Sequence, residues 1–223
     1  MEINTFENGF FWNNYGSIEQ DFLRFMEYTP YCPSNRKIYS PKLTGMLLQI
    51  GGYVDSAFKE MAAFFDMVPN QIENIVDAFA VFETIYKLSK NNGGELIAKL
   101  DFGDKKMDPF KYFSKKYYSA IKWWAAYNDV KHNYSLNYKK ATIDNVLEGL
   151  AGAFLINVVH YPSQKHLWEL GNLSTGMKAG EGFQEVNLSE TNFESYWETA
   201  VSDFSFLNIG VRVETPLFLY ARK

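Results

Sequence analysis

Residues 139–161, KKATIDNVLEGLAGAFLINVVHY, decide the fold. Ile143, Val146, Leu147, Leu150, Phe154, Val158 and Tyr161 fall along one continuous face at helical spacing, and Pro162, which has no N–H to give, stops the run. The stretch therefore predicts a long, mostly apolar helix that needs other helices to cover it. Working back from it, Tyr117, Ile121 and Trp124 mark a helix that runs from a cap at Asp108-Pro109 to about residue 134. The connection between the two is short, so they are expected to lie antiparallel.

Further upstream, Ser40-Pro41 has the form of an N-cap followed by proline at the first helical position. Leu43, Met46, Leu47, Ile50, Val54, Ala57, Phe58, Met61 and Phe65 then predict an amphipathic helix from about 41 to 66. Gly51-Gly52 inside it lowers helix propensity by ~1 kcal/mol per glycine, which fits close approach of a second helix or, alternatively, a hinge. Asn70 and Glu73 resemble a capping box opening a helix with Ile72, Ile75, Val76, Phe79, Phe82, Ile85 and Tyr86 on its stripe, and Asn91-Asn92-Gly93-Gly94 ends it. Residues 95–102 alternate and fit a short strand. The first forty residues are rich in aromatics and turn formers, with 18–28 fitting either a helix or an extended segment. Beyond Pro162, residues 171–185 read as loop and 193–201 as one or two helical turns. Residues 204–213 and 217–220 are rich in β-formers and fit a hairpin turning at Thr215-Pro216.

The predicted fold is mainly α: one domain over residues 1–223, with an antiparallel helical bundle core at about 41–161. An N-terminal aromatic segment, 1–40, and a C-terminal extension, 162–223, with small β elements flank that core. The composition agrees. Of 223 residues, 47% are hydrophobic and 22% charged, which excludes wholesale disorder, and a net charge of −4 excludes a generally basic nucleic-acid binder while allowing local basic patches. Phe, Tyr and Trp make up 17% of the chain, an unusually high share. Cys32 is the only cysteine, which rules out an internal disulfide or a cysteine-based zinc site and fits a reducing compartment. Glu2, Asn4 and Glu7 at the N-terminus do not resemble a signal peptide, and no apolar run approaches the ~20 residues that span a bilayer. A cytoplasmic protein without membrane contact is the expectation.

The chemistry-bearing stretch is Trp123 to Tyr134, WWAAYNDVKHNY. On the apolar line Tyr117, Ile121, Trp124, the next two positions are Asn128 and His132, so a core-facing stripe turns polar in its last two turns. Lys131 and Tyr127 share a neighbouring flank. Unpartnered burial of an amide or imidazole costs ~1–3 kcal/mol, so these groups are expected either to bond to neighbouring helices or to face a cleft. In a cleft, His132 would suit proton exchange near neutrality.

A tryptophan-rich helix ending in Tyr-Asn-x-x-Lys-His and followed by a long apolar helix resembles the HEPN superfamily of small helical proteins. Many of these are metal-independent ribonucleases of toxin–antitoxin, phage-defence and RNA-processing systems. The resemblance covers roughly residues 41–161 and implies a site made of Asn128 at the family's polar position, His132 at its histidine and Tyr134 at the trailing tyrosine, with Lys131 beside them. The family's arginine position is Tyr127, and a neutral phenol cannot replace a guanidinium. Loss of one such electrostatic contact typically costs ~10²–10³ in rate. Two versions stay open: an RNA-cutting toxin- or defence-type enzyme without cofactor or metal, and a degenerate, non-catalytic member. The resemblance further implies a homodimer, RNA as ligand and an antitoxin or other protein as partner. A different class, a non-enzymatic dimerisation or protein-interaction module, is the alternative.

Three weaker features complete the inventory. Lys105, Lys106, Lys111, Lys115 and Lys116 alternate with Phe110, Tyr112, Phe113, Tyr117 and Tyr118, a pattern that fits single-stranded nucleic acid or simply a lysine face over core aromatics. His160 and His166 lack carboxylates at metal-ligand spacing. The glycines of residues 171–182 lack the order of a phosphate loop.

Overall fold

Phe11, Trp12, Tyr15, Ile18, Phe22 and Met26 line the buried side of a helix, α1, over Phe10–Tyr28 in the computed structural model of the chain. The structure describes residues 9–64, 72–78, 97–100, 106–113, 118–159, 163, 166, 173–175, 197–200, 206–208, 211–213 and 218–221. The spacing of α1's buried side chains is helical throughout, which settles residues 18–28 as helix. It also places Phe11 to Met26 in the same buried cluster as the helices that follow. Thr29 closes the last turn on the Phe25 carbonyl at 3.2 Å, and Pro30 follows.

Ser40 opens α2, Pro41–Phe64, as its sequence predicts. Its Oγ accepts the Leu43 N–H at 3.2 Å, Thr44 Oγ1 donates to its carbonyl at 3.0 Å, and Pro41 takes the first turn. Leu43, Met46, Leu47, Ile50, Val54, Ala57, Phe58 and Met61 are all buried. The next helix begins later than expected. Asn74, not Asn70, is its cap: Asn74 Oδ1 accepts from the Val76 and Asp77 N–H groups at 2.8 and 3.3 Å, and Asp77 Oδ2 accepts the Asn74 N–H at 3.2 Å. That is a reciprocal capping box shifted by four residues. Glu73 precedes the helix, which is described over 75–78.

The helix carrying the polar stripe, α3, spans Lys122–His132. It does not start at Asp108-Pro109; residues 109–112 form turns, and their aromatics reach the core from there. Phe110 and Phe113 are fully buried, and the Pro109 carbonyl accepts the buried Trp123 indole N–H at 3.0 Å. Nor does α3 reach Tyr134. It ends at His132, where Asn133 leaves helical geometry and its N–H returns to the Asp129 carbonyl at 3.0 Å. A separate single turn covers Tyr134–Asn137.

The apolar helix α4 spans Ile143–Val159. Its first turn would leave N–H groups without partners, and residues 31–39 supply them. The Ile143 N–H donates to the Ile38 carbonyl at 3.0 Å and the Asp144 N–H to the Arg36 carbonyl at 3.1 Å, while Tyr39 bridges to Thr142. Arg36 Nε lies 2.9 and 2.8 Å from the two Asp144 oxygens, and Tyr31 donates to Asp144 Oδ1 at 3.2 Å.

Helices α1, α2 and α3 all pack on α4, and α2 also packs on α1 and α3. Glycines allow close approach between these helices. At Gly51 in α2 a Cβ would collide with the Tyr127 ring, and at Gly152 in α4 a Cβ would lie 3.1 Å from the Trp123 ring. Close approach is thus the reason for Gly51, whereas nothing lies within 4 Å of a Cβ on Gly52.

Strand segments occupy Ile97–Leu100 (β1), Lys106–Met107 (β2), Leu173–Thr175 (β3), Trp197–Ala200 (β4), Phe206–Asn208 (β5), Val211–Val213 (β6) and Phe218–Ala221 (β7). All pair antiparallel: β1 with β2 and β7, Ala98 standing opposite Met107 and Tyr220, β3 with β4, and β5 with β6. Trp197–Ala200 is strand where the sequence suggests helical turns; Trp and Thr favour the extended form. The described residues are mostly helical, and the fold is mainly α. Residue 70 itself, and the expectations at Asn91 to Gly94, Tyr117, His160, Tyr161-Pro162 and Thr215-Pro216, lie outside the described residues. Among the described residues no helix is long and apolar enough to cross a membrane.

Candidate functional site

Along the stripe of α3, Ile121 and Trp124 are buried, Asn128 is half-buried and His132 is exposed. The gradient follows from helical spacing: each four-residue step turns about 40° further off the buried face, on which Tyr127 and Val130 remain. Asn128 Nδ2 donates back to the Trp124 carbonyl one turn earlier at 3.1 Å, so its amide is satisfied within its own helix. His132 is the last residue of α3, next to Lys131, and both lie in the turn whose free carbonyls favour positive charge.

Tyr127 stands elsewhere. It is buried, in contact with the Gly51 backbone, its ring 5.1 Å from that of Trp124. Five residues along a helix amount to roughly 140° of rotation, so Tyr127 and His132 face different directions. Lys131 returns over Tyr127, its Nζ 5.3 Å from the ring centroid. The sequence-predicted site therefore divides into two same-face pairs, Tyr127 with Lys131 and Asn128 with His132. Tyr134 belongs to neither pair; it lies beyond the helix break, exposed and stacked on Tyr138 at 6.2 Å.

That last contact leads to residues the sequence does not single out. Tyr138 meets Tyr39 edge-on at 5.7 Å, and Lys139 Nζ lies 5.8 and 5.9 Å from the Tyr39 and Tyr138 rings. The Tyr134/Tyr138 spacing of four residues is a local signal; Tyr39 reaches them only through the pairing of residue 39 with 142. The corner is held by Asn137, whose Nδ2 donates to the Asp129 and Asn133 carbonyls at 3.0 and 3.1 Å.

Chemically, this end of α3 offers an imidazole, ammonium groups and phenol rings, and its carboxylates are engaged. Asp129 pairs with Lys140 at 2.6 Å, and Asp144 holds Arg36 and raises the guanidinium's already high pKa. Arg36 is thereby committed to the first turn of α4. The earlier basic–aromatic stretch resolves differently where it is described: Phe110 and Phe113 are core and Tyr112 is exposed, with Lys111 Nζ 5.3 Å from its ring, while Lys105, Lys115, Lys116 and Tyr117 lie outside the described residues. Cys32 shares a 3.1 Å contact with Ser34 Oγ, and that hydrogen bond lowers its thiol pKa. Among the described residues no group of three or more His, Cys, Asp or Glu is placed to hold a metal ion.

No family model matches the chain, and no curated protein and no solved structure is similar to it.

Proposed function

We propose that this is a HEPN-like, RNA-associated protein that binds RNA at the exposed end of α3 without cutting it. In this reading the helices form an antiparallel bundle with small β elements near the C-terminus, and the protein acts in the cytoplasm as a homodimer. The observation that carries the reading is the exposed Lys131–His132 end of α3, next to a turn that adds exposed Lys139 and no acidic side chain. Residues 122–143 hold four lysines against one aspartate, in a chain whose net charge is −4. Phosphate contacts need such a local excess of cations.

The non-cutting version follows from Tyr127. At the position where the resemblance implies an arginine, the side chain is neutral and faces Gly51, away from His132. His132 then has no guanidinium beside it to stabilise a phosphorane-like charge. Asn128, bonded to Trp124, orients the last turns, and Lys131 and His132 contact the backbone phosphates.

Fluorescence anisotropy with labelled RNA at two salt concentrations tests the binding. Affinity is expected to fall steeply as salt rises, each phosphate contact contributing a log–log slope of about −0.7 for a single strand, and Lys131→Ala should reduce that slope. Salt-independent binding or none overturns the reading. Incubation with mixed RNAs in metal-free buffer tests the second half. Intact RNA with both wild type and His132→Ala is the expected result, and cleavage by wild type that His132→Ala abolishes would reinstate the ribonuclease.

A further inference from the structure

Exposed large apolar side chains are few among the described residues, and most of them gather in one corner. Of seven, four are Ile38, Tyr39, Tyr134 and Leu136, with exposures of 37%, 42%, 50% and 77%. They come from two segments almost a hundred residues apart, joined through the rings of Tyr39, Tyr138 and Tyr134. Scattered single apolar residues on a surface need no explanation, but a contiguous group does.

The corner is not merely greasy. Lys139 lies at the edge of two of its rings, and Lys131 and His132 end the helix that leads into it. Lys139 and Lys131 have no carboxylate partner among the described residues, while the nearby Asp129 and Asp144 are each already paired. An apolar protein surface laid here would have to strip water from these ammonium groups without returning a charge. An anionic polymer with flat, apolar rings meets both demands at once. The rings are also pre-ordered: Tyr39 is fixed by its bridge to Thr142, and the turn carrying Tyr134 is tied down by Asn137. A ligand that stacks on them orders little that was previously free.

We infer that Tyr39, Tyr138 and Tyr134, with Lys139, form a stacking platform for unpaired RNA bases. Bases rest against the open faces of Tyr134 and Tyr39, and the adjoining phosphate is met by Lys139. In a duplex these faces are already stacked on neighbouring bases, so the platform selects single-stranded stretches. The inference rests on the RNA reading above and deepens it, since Lys131 and His132 alone would hold any phosphate chain.

The test compares the binding of a short unstructured RNA, a hairpin of equal length and an abasic strand of equal charge to wild type, Tyr39→Ala, Tyr134→Ala and Tyr134→Phe. Both substituted tyrosines are exposed, and thermal melting checks that each variant is folded. Each alanine is expected to weaken binding of the unstructured strand about tenfold, to leave the abasic strand unaffected, and Tyr134→Phe should restore wild-type affinity. If wild type binds RNA with the expected salt dependence but the alanines bind it equally well, the platform is overturned and the RNA reading survives. If wild type binds no RNA, both fall. If the alanines leave RNA affinity unchanged but alter the sedimentation of the free protein, the corner is a contact between protein chains and the platform is overturned.

Discussion

Two tyrosine–lysine pairs lie within a dozen residues of each other and do opposite things. Lys131 covers Tyr127 at 5.3 Å, and Lys139 reaches Tyr138 at 5.9 Å, so the local chemistry is nearly the same. What differs is the partner on the far side of the ring. Tyr127 presses on Gly51 of α2 and is sealed in the core, where full burial of a large side chain stabilises by roughly 1.5–3 kcal/mol. Tyr138, half-buried, has the exposed Tyr39 and Tyr134 beside it and forms part of a surface. A ring's role here is set by distant chain, not by its immediate neighbours.

Tyr127→Arg is the harshest way to break this contrast. The guanidinium would be forced into a site shaped for a phenol ring, and unfolding in urea should show a loss of about 3–5 kcal/mol, with no RNA cleavage gained. Gly51→Ala attacks the same contact from α2. Overpacking against a buried ring should cost about 1–3 kcal/mol, while Gly52→Ala, with open space around it, should gain up to about 1 kcal/mol. Adjacent glycines with opposite signs in a thermal melt would sharpen the assignment, and equal effects would undo it. On the exposed side, Tyr134→Ala should change stability by less than about 0.5 kcal/mol, so any RNA effect it has is not an unfolding effect.

A third tyrosine extends the comparison to pH. Burial pushes the Tyr53 phenol well above its ordinary value. The unfolded chain then gives up this proton at about pH 10 while the folded chain retains it. Above that pH the unfolded state binds fewer protons, so stability falls as pH rises. The Tyr53 hydroxyl is buried with no hydrogen-bond partner among the described residues, so Tyr53→Phe should leave stability at neutrality unchanged or raise it by about 1 kcal/mol, and its margin over wild type should widen above about pH 10 in pH-dependent urea titrations.

Local signals proved readable where the physics was local. Ser40-Pro41 carries its cap and its first turn in two adjacent residues, and the face of α4 needs no information beyond its period. The second cap differs because Asn70/Glu73 and Asn74/Asp77 offer similar chemistry at the same spacing, and only the observed Asn74 and Asp77 bonds tell them apart. The start of α3 was misplaced for a related reason. Phe110 and Phe113 are three apart and buried, as in a helix, yet they enter the core from turns braced by the Pro109–Trp123 hydrogen bond. At the site, the outward drift from Trp124 through Asn128 to His132 follows from helical spacing alone. The burial of Tyr127 depends on a glycine 76 positions earlier, and the Tyr39–Tyr138 contact on backbone pairing across the chain; neither leaves a trace in a window of neighbouring residues.

The strap formed by residues 31–39 has a kinetic consequence. Amides in a helix's opening turn ordinarily exchange with solvent first, because no carbonyl precedes them. Those of Ile143 and Asp144 are instead closed by carbonyls from the Ile38 and Arg36 peptides. In deuterated buffer these two should hold their protons as long as the middle of α4 does, and deletion of the chain ahead of Ser40 would release them together with the aromatic face of α1.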